Sequence, residues 1–171
     1  MTTASVEVLQ EMACAAADLV GIDQDLFLRL VEQESTWNPN AGASTKDACL
    51  GLCQLNPYYG RWFIQTHGRP EIPEAIHAYD QKLWPVERIR ATLLDPRWNL
   101  MIGSREMARL LRHWGNWHEA LVAWNWGSGN LGVCQKDHPL TWMEHIPAES
   151  QYMLCKVLLH KALTKYLGVA T

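Results

Sequence analysis

The chain has 171 residues, 48% of them hydrophobic and 19% charged, a length and balance that fit one globular domain over residues 1–171. The formal net charge is −3 and no Lys/Arg block stands out, which leaves a nucleic-acid partner without electrostatic support. No apolar run approaches the roughly 20 residues that span a bilayer.

In chain order, the first helix is expected from Ser5, a good N-cap, to Val20, ending at Gly21. Asp23 caps a second helix over 24–36, which Asn38-Pro39 ends. Residues 38–50 collect Asn, Gly, Ser, Thr and Asp and read as loop or a small hairpin. A short helix is expected around 51–56, stopped by Pro57. Residues 58–94, broken by Gly68, Pro70, Pro73 and Pro85, suggest two short helices and a candidate lid or docking segment. Asp95-Pro96 is a strong helix start, and the helix should run from 96 to 113 with Leu100, Met107, Leu110 and Leu111 on its apolar face. Another runs from Trp117 to Trp126 and stops at Gly127-Ser128-Gly129. The last begins after Pro147 and carries Met153, Leu154, Val157, Leu158 and Leu163. The class is mainly α, or α+β with a minor hairpin at most.

The second helix contains the most informative residue. Its apolar stripe is Leu26, Phe27, Leu30 and Val31, and helical spacing continues that stripe to position 34. That position is Glu34, while Glu32 and Gln33 fall off the stripe. Burial penalises an ionised carboxyl, so its pKa should rise. A carboxylic acid that stays protonated near neutrality can donate a proton to a leaving oxygen, as glycosidic cleavage requires. The same spacing also fits a glutamate that is solvated, or paired with arginine, at the helix end.

The nine tryptophans against two phenylalanines bear on this choice, because indoles fill cores and also form flat platforms for sugar rings. Trp114 and Trp117 read most simply as core, whereas Trp124 or Trp126 is a candidate subsite floor. The five cysteines are odd in number and widely spaced, and fit free thiols packed as small apolar groups. The histidines at 113, 118, 138 and 145 lack ligand spacing, so neither a metal nor any other cofactor is expected.

Five segments in order carry a resemblance. Glu34-Ser35-Thr36-Trp37-Asn38-Pro39 resembles the Glu-Ser-x-x-Asn-Pro signature of soluble lytic transglycosylases. Gly51-Leu52-Cys53-Gln54-Leu55-Asn56-Pro57 is similar to that family's Gly-Leu-Met-Gln-hydrophobic-x-Pro stretch. Asp95-Pro96-Arg97-Trp98-Asn99-Leu100 with Gly103 resembles its Asp-Pro-x-x-Asn helix start, and Ala123-Trp124-Asn125-Trp126-Gly127 resembles its Ala-Tyr-Asn-Ala-Gly motif. Ile146-Pro147 with Glu149 and Tyr152 resembles the final motif. The set covers roughly residues 26–157.

The resemblance implies a lysozyme-like fold with a substrate groove between helices. It implies cleavage of the β-1,4 bond between N-acetylmuramic acid and N-acetylglucosamine in peptidoglycan, with Glu34 as sole acid and base and a 1,6-anhydro product. It further implies Gln54 and Asn125 as groove residues and Ser44 as the matching sugar-binding loop serine, in a loop that is one residue longer here. The chain departs from the family at Trp124, where a tyrosine hydroxyl usually orients the acid, and an indole offers only an N–H donor. Tyr152, three residues after Glu149 rather than four, is a candidate source of a replacement hydroxyl. Cys53 replaces methionine, Ala48-Cys49-Leu50 replaces Gly-Ala-x, and the stretch from Glu34 to Gln54 is about two residues longer.

Two rival readings stay open on sequence. Asp47, if it lies across the groove at roughly 6.5–9.5 Å from Glu34, would activate water and give a hydrolase resembling goose-type lysozymes. A non-catalytic wall-binding or structural module on the same fold is the other. The first twenty residues have no basic start and carry Glu7, Glu11 and Asp18, so no secretory signal is expected. A wall-cutting protein without one fits a bacteriophage virion component, docked on other particle proteins and delivered to the bacterial wall, with a secretion or conjugation apparatus as the alternative.

Overall fold

The computed structural model describes residues 4–45, 49–58 and 86–159. The described residues are mainly helical. Their β structure is one isolated antiparallel bridge between Leu50 and Leu55. No helix among them is long and apolar enough to cross a membrane.

Helix α1 spans Val6–Val20; the Ser5 side chain accepts from the Val8 N–H at its start, and left-handed Gly21 ends it. Helix α2 spans Gln24–Ser35 under an Asp23 cap. It ends one residue before the expected boundary, and Pro39 is not the cause. Thr36 and Trp37 take consecutive left-handed conformations (φ 51° and 60°), which reverse the chain and fold the Trp37 ring into the core. Leu26, Phe27, Leu30 and Val31 are buried as the stripe predicted. Burying a side chain such as Phe27 or Leu30 stabilises by about 1.5–3 kcal/mol.

The expected helix over 51–56 is replaced by a tight turn. Leu50 and Leu55 exchange both backbone hydrogen bonds at 3.0 Å, and Gly51 and Gln54 between them have positive φ (72° and 46°). Left-handed residues at those two positions close a loop and cannot propagate a right-handed helix. Of the segment 58–94, residues 59–85 lie outside the described residues, and so does its expected lid or docking role. Its described end is α3, Val86–Leu93.

Helix α4 runs Pro96–Trp114 with Asp95 as cap, Pro96 in the first turn and Gly115 as left-handed stop. Helix α5 spans Trp117–Trp126, capped by the Asn116 side chain. It packs against α4 and two later helices, and its Ala120, Leu121, Val122 and Ala123 are all buried.

Gly127 does not lead into loop. With φ 95° it redirects the chain straight into α6, Ser128–Asp137, which the sequence reading did not expect. Glycines at 127, 129 and 132 argue against a helix by propensity. Packing overrides them: Leu131 and Cys134 are buried, the Trp114 ring edge lies against Gly132, and the Trp114 indole N–H donates to Ser128 Oγ at 3.3 Å. A 3₁₀ turn, Trp142–Glu144, leads to α7, Ala148–Leu154, which widens into a π-helical turn over Cys155–Leu159 packed on α2. Of the apolar positions expected here, Met153 and Val157 are buried, and Leu163 lies beyond the described residues.

Asn99 fastens these parts together. Its Nδ2 donates to the carbonyls of Leu50 (2.8 Å) and Leu93 (2.7 Å), and its Oδ1 accepts from the Cys53 N–H (2.7 Å). One buried amide thus joins the end of α3, helix α4 and both sides of the 50–55 turn. Gly51 has no room for a side chain, because a Cβ there would sit 2.4 Å from Asn99 Nδ2. Gly103 on α4 makes the space that Cys53 Sγ occupies, 2.5 Å from where a Cβ would be.

Candidate active site

Glu34 is in the last turn of α2, one residue before the helix ends. It is half-buried, and it lines a cavity of about 550 Å³ with Gln33, Asn125, Glu149, Tyr152 and Met153. Burial raises its pKa to about 7, against the lowering effect of a hydrogen bond from Trp124. Its place at the negative end of the helix dipole acts in the same direction as burial. A carboxyl titrating there is protonated in a useful fraction of molecules at neutral pH, and ionises readily once its proton is given away.

The partner of that carboxyl is Trp124, on α5. Its indole Nε1 donates to Glu34 Oε1 at 2.9 Å. The indole that stands in place of the tyrosine therefore supplies the hydrogen bond to Glu34 itself. Tyr152 instead stands half exposed on the rim of the Glu34 cavity, with the Lys156 ammonium 5.3 Å from its ring centre.

On the other side of Trp124 lies a second cavity of about 510 Å³, walled by Gln54, Leu55, Glu106, Arg109, Trp124, Asn125 and Trp126 among others. Asn125 lines both cavities. Its Oδ1 accepts from the buried Ser150 hydroxyl of α7 at 2.6 Å, which fixes the amide at the junction. Gln54 holds its side chain by donating to the Gly51 carbonyl at 2.9 Å. Among the described residues the non-glycine positions with left-handed backbone are Thr36, Trp37 and Gln54. Two of these end the helix that presents Glu34 and the third is in the groove wall. Strained backbone of this kind concentrates at functional sites.

The thiols nearby follow the same electrostatics. Burial, and then the charge of Glu34, push Cys53 and Cys49 up from the ordinary thiol range, so both stay neutral. Cys53 serves as an apolar group against Gly103, and Cys49 lines the groove.

The structure thus places Glu34, Asn125 and Tyr152 on one cavity and Gln54, Trp124 and Asn125 on a second that shares Asn125 with it. Ser44 is exposed in the 41–45 turns, which Arg90 of α3 fastens by donating to the carbonyls of Gly42, Ala43 and Thr45. Asp47 lies outside the described residues. Sequence reasoning missed two groove features. Buried Glu106 and part-exposed Arg109 form a bidentate pair in the groove wall, at 2.7 and 2.8 Å. A signal existed: Glu106 sits on the buried face of α4, three beyond Gly103 and four before Leu110. Glu149, quoted only as part of a motif, shares the cavity of Glu34. His138 and His145 stack at 3.6 Å, and among the described residues no cluster of three or more His, Cys, Asp or Glu could hold a metal ion.

A family model described as the transglycosylase SLT domain matches residues 11–138, a span that includes Glu34, Gln54, Trp124 and Asn125. No curated protein and no solved structure matches the chain.

Proposed function

Because the chain belongs to the transglycosylase SLT domain family, whose members cleave peptidoglycan, we propose that it cuts the MurNAc–GlcNAc bond with Glu34 as both acid and base. The observation that carries this reading is the half-buried carboxyl of Glu34, titrating at about 7 in a cavity wall with one oxygen held by Trp124. Glu34 Oε1 accepts the indole hydrogen bond, so the proton of the neutral acid resides on Oε2. That proton goes to the glycosidic oxygen as its bond to the muramoyl C1 breaks. The resulting carboxylate then takes the proton of the muramoyl C6 hydroxyl, whose oxygen bonds to C1 and closes the 1,6-anhydro ring. The acid is regenerated, and no water is consumed.

This sequence needs only one titrating carboxyl. The Glu106 carboxylate in the neighbouring cavity is engaged on both oxygens by Arg109, which suits it to holding shape more than to activating water. Gln54 and Asn125 offer amide groups for sugar hydroxyls and acetamido groups along the cleft, and Trp126 offers an aromatic wall.

The test is the mass of the products from digested peptidoglycan. Anhydro-muropeptides, lighter by one water than hydrolytic fragments, support the reading. Reducing-end products in their place overturn it in favour of hydrolysis.

A further inference from the structure

A third cavity, of about 510 Å³, lies on the other flank of α2. Its wall carries Arg29, Glu32, Gln33 and Asp25 from α2, and Lys156 from the π-helical turn, over the buried Trp37. Two residues place it next to the candidate active site. Gln33 lines this cavity and also the cavity of Glu34. Lys156 lines this cavity while its ammonium sits over the ring of Tyr152, which lines the other. The two spaces therefore adjoin at Gln33 and at the Tyr152–Lys156 pair.

The charge pattern of the outer cavity is mixed. Arg29 and Lys156 present cations, Asp25 and Glu32 present carboxylates, and Gln10 and Gln33 present neutral amides. Among the described residues none of the four charged groups is held in an ion pair. A glycan stripped of its peptides offers such a wall one lactyl carboxylate per muramoyl residue and no cation. The peptide branch on the lactyl group of a muramoyl residue has several charged groups: free carboxylates along the chain, and the ammonium of its diamino acid. A muramoyl residue seated beside Glu34 must also direct that branch out of the cleft.

We propose that the Arg29–Lys156 cavity is a subsite for the peptide branch of peptidoglycan, with Arg29 and Lys156 receiving its carboxylates and Asp25 and Glu32 its ammonium. The proposal rests on the transglycosylase reading for the position of the glycan. It adds a specificity site that the groove does not contain. Charge-assisted contacts of this type are the strong class of hydrogen bond, and losing two of them lowers binding by about tenfold or more.

The experiment compares two substrates: glycan strands carrying their peptides, and the same strands stripped of peptide by an amidase. Wild type should show a higher kcat/KM on the peptide-bearing strands. The double variant Arg29→Gln, Lys156→Gln should lower the ratio of the two kcat/KM values by about tenfold, mainly through KM. Glu32→Gln, at an exposed position, should lower it in the same direction where the double variant folds poorly. An unchanged ratio in both variants overturns the proposal. In parallel, a soluble tetrapeptide containing a diamino acid is titrated into Glu34→Gln protein and followed by amide NMR. Shifts centred on Arg29, Glu32 and Lys156 support the subsite, and their absence at millimolar peptide overturns it. Should wild type cut neither substrate, the transglycosylase reading fails, and the titration still decides the cavity by itself.

Discussion

The indole Nε1 of Trp124 lies 2.9 Å from Oε1 of Glu34 and joins two helices that are ninety residues apart in sequence. An indole donates and cannot accept, so it favours the ionised carboxyl and cannot take a hydrogen bond from the neutral one. Burial works the other way and dominates, which leaves Glu34 at about 7. Trp124 thereby sets the carboxyl's orientation and trims its pKa together.

Trp124→Phe keeps the ring and removes the donor. The Glu34 pKa should rise further, because the interaction that lowered it is gone. The alkaline limb of kcat/KM, expected near pH 7 for wild type, should move to higher pH, while the maximal rate falls by about tenfold as the carboxyl loses its orientation. A pH–rate profile of both proteins checks this. A limb that stays in place would show that Trp124 does not act on Glu34.

Glu34 should also leave a mark on stability. Its folded pKa, about 7, lies above that of an unfolded glutamate, so the native state holds the extra proton between about pH 4.5 and 7. Stability falls as pH rises through that window, and below it both states are protonated and nothing is lost. Glu34→Gln should therefore be as stable as wild type near pH 4, and more stable at pH 8 by on the order of 2–3 kcal/mol. Urea unfolding at the two pH values measures the difference.

Asn99 binds three backbone groups that have no water to turn to. Asn99→Ala orphans the Leu93 carbonyl and the Cys53 N–H, leaves the Leu50 carbonyl with only its bond from Leu55, and opens a void. A loss of about 3–5 kcal/mol is expected, seen as a lower urea midpoint with an unchanged slope. The groove should suffer too, since the 50–55 turn carries Gln54.

Gly103 and Cys53 form a size-matched pair. Gly103→Ala alone forces a Cβ against Cys53 Sγ and should cost about 1–3 kcal/mol. Adding Cys53→Ala removes the obstructing sulfur, so the double variant should lose less than the sum of the singles. A double-mutant cycle on thermal stability measures that coupling; strict additivity would contradict the packing described.

Much of this architecture was legible in the residues. Ser5, Asp23, Asp95 and Gly115 mark helix ends through their own hydrogen bonds and left-handed backbones, which act locally. The stripe of α2 led to Glu34 because periodicity is also local. What stayed hidden depended on distant partners. Helix α6 has poor intrinsic propensity and exists because Trp114 packs on it from α4. The turn at 51–54 read as helix until the hydrogen bonds of Asn99, from forty-five residues away or more, are taken into account. Trp124 looked like the loss of a hydroxyl, and only its position shows that its N–H reaches the same carboxyl.

The central claim concerns the proton on Glu34, and the most direct measurement is peptidoglycan turnover by wild type and by Glu34→Gln. The amide is nearly isosteric and its oxygen can still accept from Trp124, so the fold and the groove should persist by circular dichroism and melting. Turnover should fall by about 10²–10⁴ or more, the contribution of a general acid. A folded Glu34→Gln protein that solubilises walls at the wild-type rate would contradict the account.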